Sequence, residues 1–118
     1  MARREPGEPY YRVSVDEAKA VLDRGDDAVV VDVRTAEEYT GGHIQGALWV
    51  PVDEVLTRIN ELPQGKKLLF ICQSGVRSGL AAEMAAAMGF DQELLYNIED
   101  GTPAWVEKGY PTSYGMDK

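Results

Sequence analysis

The stretch that most narrows the fold is Leu68-Leu69-Phe70-Ile71-Cys72-Gln73-Ser74-Gly75-Val76-Arg77-Ser78, continued through Gly79 to Gly89. It begins as a short apolar run that reads as a buried strand. It ends with apolar residues at positions 80, 81, 84, 85 and 88, which is helical spacing. Between the two lies a tight turn from Cys72 to Arg77 with a glycine at 75. The chain's one cysteine thus stands at the strand's C-terminal end and faces the start of a helix. Unpaired N–H groups and a partial positive charge at a helix start favour an anion. A thiol there is expected to ionise more easily than a free one, whose pKa is about 8.5. Those are the conditions for a nucleophile.

The other segments fit around this unit. Ala28-Val29-Val30-Val31-Asp32-Val33 is too continuously apolar for a sheet with one wet face, so it reads as a strand buried on both sides. Ser14 with Glu17, and Thr35 with Glu38, are capping boxes. The first predicts a helix over 14–24 that buries Ala18, Val21 and Leu22; the second predicts a one-turn helix ending before Gly41-Gly42. Further strands are expected at 10–13 on an edge, at 47–50 and at 93–96, besides the core strand 67–72 with its helix 76–88. A short helix is expected at 53–59. A last one is expected with Thr102 as cap and Pro103 at its first position, ended by Gly109.

Strands alternate with helices, so the fold class is α/β with a mainly parallel central sheet and helices on both faces. In such sheets functional loops gather at the carboxyl ends of the strands, where Cys72 and Arg34 both fall. Residues 1–9 read as a flexible lead-in, 10–113 as a single domain and 114–118 as a tail.

A net charge of −8 over 118 residues argues against nucleic acid or an anionic membrane as partner, so any attraction for an anionic substrate has to be local. One cysteine and one histidine exclude an internal disulfide and make no zinc site, so no metal is expected. No stretch reaches membrane-spanning length, and the two N-terminal arginines precede no apolar run of a signal peptide. A cytoplasmic protein with a free thiol is the expectation.

A lone cysteine can simply be a small buried residue that finishes a strand. Gly75, the hydroxyls of Ser74 and Ser78, and Arg77 favour instead a turn that aims successive N–H groups at one spot, a concavity that binds anions. The run Cys72 to Ser78 resembles the active-site loop of the rhodanese sulfurtransferase family. Val31-Asp32-Val33-Arg34 with Glu38-Tyr39, Gly42-His43-Ile44-Gln45-Gly46-Ala47, and Gly101 with Trp105, Gly109 and Pro111 look like the family's other signatures, in the right order.

The resemblance implies a rhodanese-like three-layer sandwich. It also implies that Cys72, as thiolate, takes the outer sulfur of a donor such as thiosulfate, carries it as a persulfide and passes it to a thiol or cyanide. Residues Gln73, Ser74, Gly75, Val76, Arg77 and Ser78 would hold the persulfide, with Asp32, Arg34 and His43 in support. His43 could serve as a general acid or base, but a histidine between glycines is expected more as a turn residue with a satisfied ring. No cofactor beyond the covalent sulfur is implied. Partners would be a small sulfur donor and a thiol acceptor, or a protein in either role. One departure is Asp100 before Gly101, where the family commonly has paired glycines.

Two other functions compete. Phosphatases and arsenate reductases of related folds cradle a tetrahedral oxyanion with Cys-x5-Arg, whereas here four residues separate Cys72 from Arg77, a smaller cradle suited to one sulfur. A sulfur-relay or interaction module acting with a protein partner keeps the same loop.

Overall fold

The computed structural model describes residues 2–118. Among the described residues, seven strands and four α-helices follow one another: β1 (Tyr11–Val13), α1 (Val15–Asp23), β2 (Ala28–Asp32), α2 (Ala36–Thr40), β3 (His43–Ile44), β4 (Leu48–Trp49), β5 (Lys67–Ile71), α3 (Val76–Ala87), β6 (Leu95–Ile98), α4 (Gly101–Glu107) and β7 (Thr112–Ser113). Five of the strands form one sheet in the order β1-β6-β5-β2-β4, and every neighbouring pair runs parallel. β3 and β7 make a separate antiparallel pair.

The central strands show why this sheet needs cover on both faces. Along β5, Leu68 and Phe70 join a core with Ala81, Ala82 and Ala85 of α3, while Leu69 and Ile71 join a second core with Ala18 and Val21 of α1 and Trp105 of α4. Alternation along the strand therefore sends successive side chains into two different apolar layers. The three-layer α/β arrangement expected from the sequence is present. Among the described residues, no helix is long and apolar enough to cross a membrane.

Both capping boxes form. Ser14 accepts from the Glu17 N–H at 3.1 Å and Glu17 accepts from the Ser14 N–H at 2.8 Å. Thr35 and Glu38 repeat the exchange at the start of α2.

Other boundaries differ from expectation. The predicted helix at 53–59 is two 3₁₀ turns, Val52–Glu54 and Ile59–Glu61. Its apolar residues do not share one buried face: Val55 is buried and Leu56 is exposed. The strand expected at 93–96 begins only at Leu95, because Asp91 accepts from the Glu93 N–H at 2.9 Å and folds 92–94 into a 3₁₀ turn. The strand expected at 47–50 is reduced to the half-buried edge pair of β4. Thr102 does not cap the last helix; Asp100 stands at the cap position and Thr102 turns to the Cys72 carbonyl.

Residues near both ends of the described chain lie against the domain. Arg3 bridges Arg12 in antiparallel fashion, with Arg4 stacked over the Tyr11 ring at 4.1 Å. At the other end, the Gly115 N–H donates to the Thr40 carbonyl at 2.8 Å.

Candidate active site

Cys72 follows the last residue of β5, the middle strand of the sheet, and is buried with 1 % of its surface exposed. The chain then turns sharply so that α3 can start at Val76. That turn needs Gly75, whose φ is +90°: a Cβ there would stand 2.6 Å from the Glu99 carbonyl oxygen. The folded-back loop directs the Gly75 N–H to the Cys72 Sγ at 3.1 Å and places the Ser78 hydroxyl 3.3 Å from the same sulfur. Burial pushes the Cys72 thiol up, but the Ser78 hydroxyl and the N–H groups of Ser78, Ser74 and Gly75 outweigh it and hold the group below the usual thiol value. The thiolate expected from the sequence has the surroundings it requires.

The loop is clamped from three sides. From α4, Thr102 gives both its N–H, at 3.0 Å, and its hydroxyl, at 3.3 Å, to the Cys72 carbonyl. From α2, Glu38 takes both arms of the Arg77 guanidinium at 2.7 and 2.9 Å. From β6, Asn97 donates to the Gly75 carbonyl at 3.0 Å and accepts from Ser78 at 2.6 Å. Arg77 is therefore committed to a carboxylate and contributes little free positive charge.

Arg34, after β2, is equally committed. It is buried, holds Asp32 through Nε and Nη2 at 2.8–3.2 Å, and reaches the Gly42 carbonyl at 2.8 Å and the Gln73 side chain at 3.2 Å. The pair spans β2, the Gly42 turn and the active loop. His43 is held by groups outside the Cys72 loop. Its ring stacks on Tyr39 with centroids 3.7 Å apart, Nδ1 faces the Tyr39 carbonyl at 2.8 Å, and Nε2 meets the Asp117 carbonyl of the tail. Val76 presents its side chain to solvent, 76 % exposed, at the start of α3.

Three contributors were not singled out from the sequence as partners of the loop: Asn97, Thr102, and Glu38 in its second role. Asn97 carried a signal, since it is the only polar side chain inside the apolar run Leu95–Ile98. The departure at Asp100 also has an account. Asp100 accepts from the Val15 N–H at 2.9 Å and so ties the start of α1 to the start of α4, while only Gly101 meets the loop.

The bond to Arg77 holds the Glu38 carboxyl at about 2, below its ordinary 4.5. A carboxylate with a depressed folded-state pKa contributes stability above its unfolded value and loses it as the pH falls through the folded one. The pair is partly exposed, so solvent screening leaves it about 1–2 kcal/mol. Urea unfolding of Glu38→Gln against the parent should show that difference near neutrality. The gap should shrink between about pH 4.5 and pH 2. A gap that stays constant across the acid range would mean the Arg77 contact contributes nothing.

A cleft of about 730 Å³ opens beside the loop, bounded by Arg34, Gln73, Glu37, Glu107, Thr102 and Val106. On the other side of the loop, Ser74, Gly75 and Val76 line a second one of about 520 Å³ together with Leu80 and Glu83.

Residues 14–108 match the family described as the rhodanese-like domain. A sulfurtransferase of Allochromatium vinosum is 33% identical over 86 residues, covering 73% of this chain and 78% of that protein. YrkF of Bacillus subtilis, named provisionally as a sulfur carrier, is 34% identical over 96 residues, covering 81% of this chain. The chain spans about half of YrkF's own length, 51%. Among solved structures, a rhodanese-like domain protein of Staphylococcus aureus superposes with a TM-score of 0.72 at 33% identity, over 80% of this chain and 89% of that one.

Proposed function

This chain belongs to the rhodanese family, and on that footing we propose that it transfers a sulfane sulfur as a persulfide on Cys72. The reading rests on one observation above all: a buried sulfur that accepts the Gly75 N–H at 3.1 Å, at the start of α3. With thiosulfate as donor, the Cys72 thiolate attacks the outer sulfur. A new S–S bond forms at Sγ, the bond to the sulfite sulfur breaks, and its electron pair leaves on sulfite. An acceptor thiolate or cyanide then attacks the outer persulfide sulfur and returns the pair to Cys72. Two displacements replace one difficult step. Sγ, donor and acceptor supply every atom that moves, so the cycle calls for no metal or organic cofactor. A free ionisable thiol working this way suits a reducing compartment, and the cytoplasm is the proposed location.

A protein as donor or acceptor is the second reading, and the charges favour it. Both arginines near the loop are neutralised, by Glu38 and by Asp32, and Glu37 and Glu107 bound the larger cleft. A free dianion finds little to attract it there, whereas a basic segment bearing a thiol or persulfide does.

Intact mass before and after incubation with thiosulfate separates the readings. The expected gain is one sulfur atom, removed by a thiol and absent from Cys72→Ser. Gain only from a persulfidated protein donor would establish the relay. No gain from either, with hydrolysis of an aryl phosphate, would overturn both.

A further inference from the structure

The Ser78 hydroxyl carries one proton, and two acceptors compete for it. The Cys72 Sγ lies 3.3 Å away and the Asn97 Oδ1 2.6 Å away. All three residues are buried, so water does not make up the shortfall. Asn97 cannot turn aside, because its Nδ2 donates to the Gly75 carbonyl at 3.0 Å, which points Oδ1 at Ser78. We propose that Asn97 is a positioning residue that sets, through the Ser78 hydroxyl, how firmly the Cys72 thiolate is held.

While Cys72 is a thiol, its S–H donates to Ser78 Oγ, and Ser78 donates to Asn97. When the thiol proton leaves to solvent, Ser78 has to swing its own proton from Asn97 to Sγ; otherwise an oxygen lone pair faces the thiolate. When a sulfane sulfur is added, the negative charge moves one bond outward, about 2 Å. Sγ then no longer demands the proton, and Ser78 returns it to Asn97. The short bond to Asn97 thus opposes the bare thiolate and favours both the thiol and the loaded persulfide. That is a bias toward keeping the sulfur once it is acquired. Asn97 touches no reacting atom, and its pull on the proton reaches Sγ through Ser78.

Other charges face the sulfur at a remove and are held in pairs. Arg77 on α3 is bound to Glu38 of α2, and Arg34 is bound to Asp32 at the end of β2. Glu99, following β6, contacts Gly75 through its backbone and pairs its carboxylate with Arg3 and Arg12. None of them exchanges a proton with Ser78.

This inference rests on Cys72 working as a thiolate, but its test uses no sulfur donor. The ultraviolet absorbance of the thiolate is titrated with pH, the Cys72→Ser protein serving as blank; Cys72 is the only cysteine. Ser78→Ala removes the hydroxyl donor, and the midpoint should rise by about one unit, a tenfold loss of thiolate below the midpoint. Asn97→Leu removes the competing acceptor, and the midpoint should fall, giving several-fold more thiolate on the acid side. In the double variant the Asn97 effect should vanish, leaving the Ser78→Ala value. A merely structural Asn97 would loosen Gly75, weaken its N–H bond to sulfur and raise the midpoint, which is the opposite sign. That rise, or an Asn97 effect that persists without Ser78, overturns the proposal. Should Asn97→Leu not fold, Asn97→Ala carries the same expectation, and an unmoved midpoint in Ser78→Ala overturns it independently. A failure to gain sulfur from either thiosulfate or a persulfidated protein, with the titration shifted as described, would overturn the proposed function and leave the role of Asn97 standing.

Discussion

Gly101→Ala is expected to destabilise the protein by about 3–5 kcal/mol and to lower its melting midpoint by roughly 10–20 °C. Two independent penalties add. Gly101 has a φ of +78°, a conformation that costs an L-residue about 1–2 kcal/mol. A Cβ there would also lie 2.1 Å from the Gln73 carbonyl oxygen and 3.1 Å from that of Cys72. Both obstacles are backbone, so relief requires moving the active loop itself.

Gly109→Ala separates the two penalties. Its φ is +74° with no atom within 4 Å of the added Cβ, so only the conformational penalty applies. Thermal unfolding should rank the two variants clearly, with Gly109→Ala losing about 1–2 kcal/mol. Gly101→Ala should also raise the Cys72 titration midpoint, because the loop pushed away from α4 takes the Gly75 N–H with it. Equal losses for both glycines would mean that the close approach at Gln73 is without consequence.

This contrast also shows which parts of the molecule were legible in the sequence. The β5–loop–α3 unit and both capping boxes rest on residues a few positions apart, where spacing and residue type carry the physics. Helix starts at Ser14 and Thr35 were therefore readable, and so was the thiol at a helix N-terminus. The clamps on the loop are long-range. Arg77 meets Glu38 across 39 positions, and Cys72 meets Thr102 across 30. Nothing local distinguishes a glutamate that only caps its own helix from one that caps and also holds an arginine. Thr102-Pro103 misled for the same reason: it has the local form of a helix start, but the Cys72 carbonyl claims the hydroxyl. The pair β3–β7 was missed because strands of two residues leave no periodicity to read.

The remaining large effect is expected at Asp32. Asp32→Ala should cost about 3–5 kcal/mol in urea unfolding, because it leaves the Arg34 guanidinium charged and buried without its counter-ion. Asp32 is fully buried and accepts both the Arg34 backbone N–H, at 3.0 Å, and its side chain. The neighbours that remain, Gln73 and the Gly42 carbonyl, are neutral. Replacing both charged residues with apolar ones, Asp32→Ala with Arg34→Met, should recover part of the loss, since no orphaned charge is then left behind. The site should respond differently from the stability. Gln73 loses its anchor in the double variant as well, so sulfur loading of Cys72 should remain impaired while the unfolding midpoint climbs back. If loading recovers together with stability, the pair serves the fold alone. If it does not, the buried Asp32–Arg34 pair is what connects the end of β2 to the conformation of the loop that holds the sulfur.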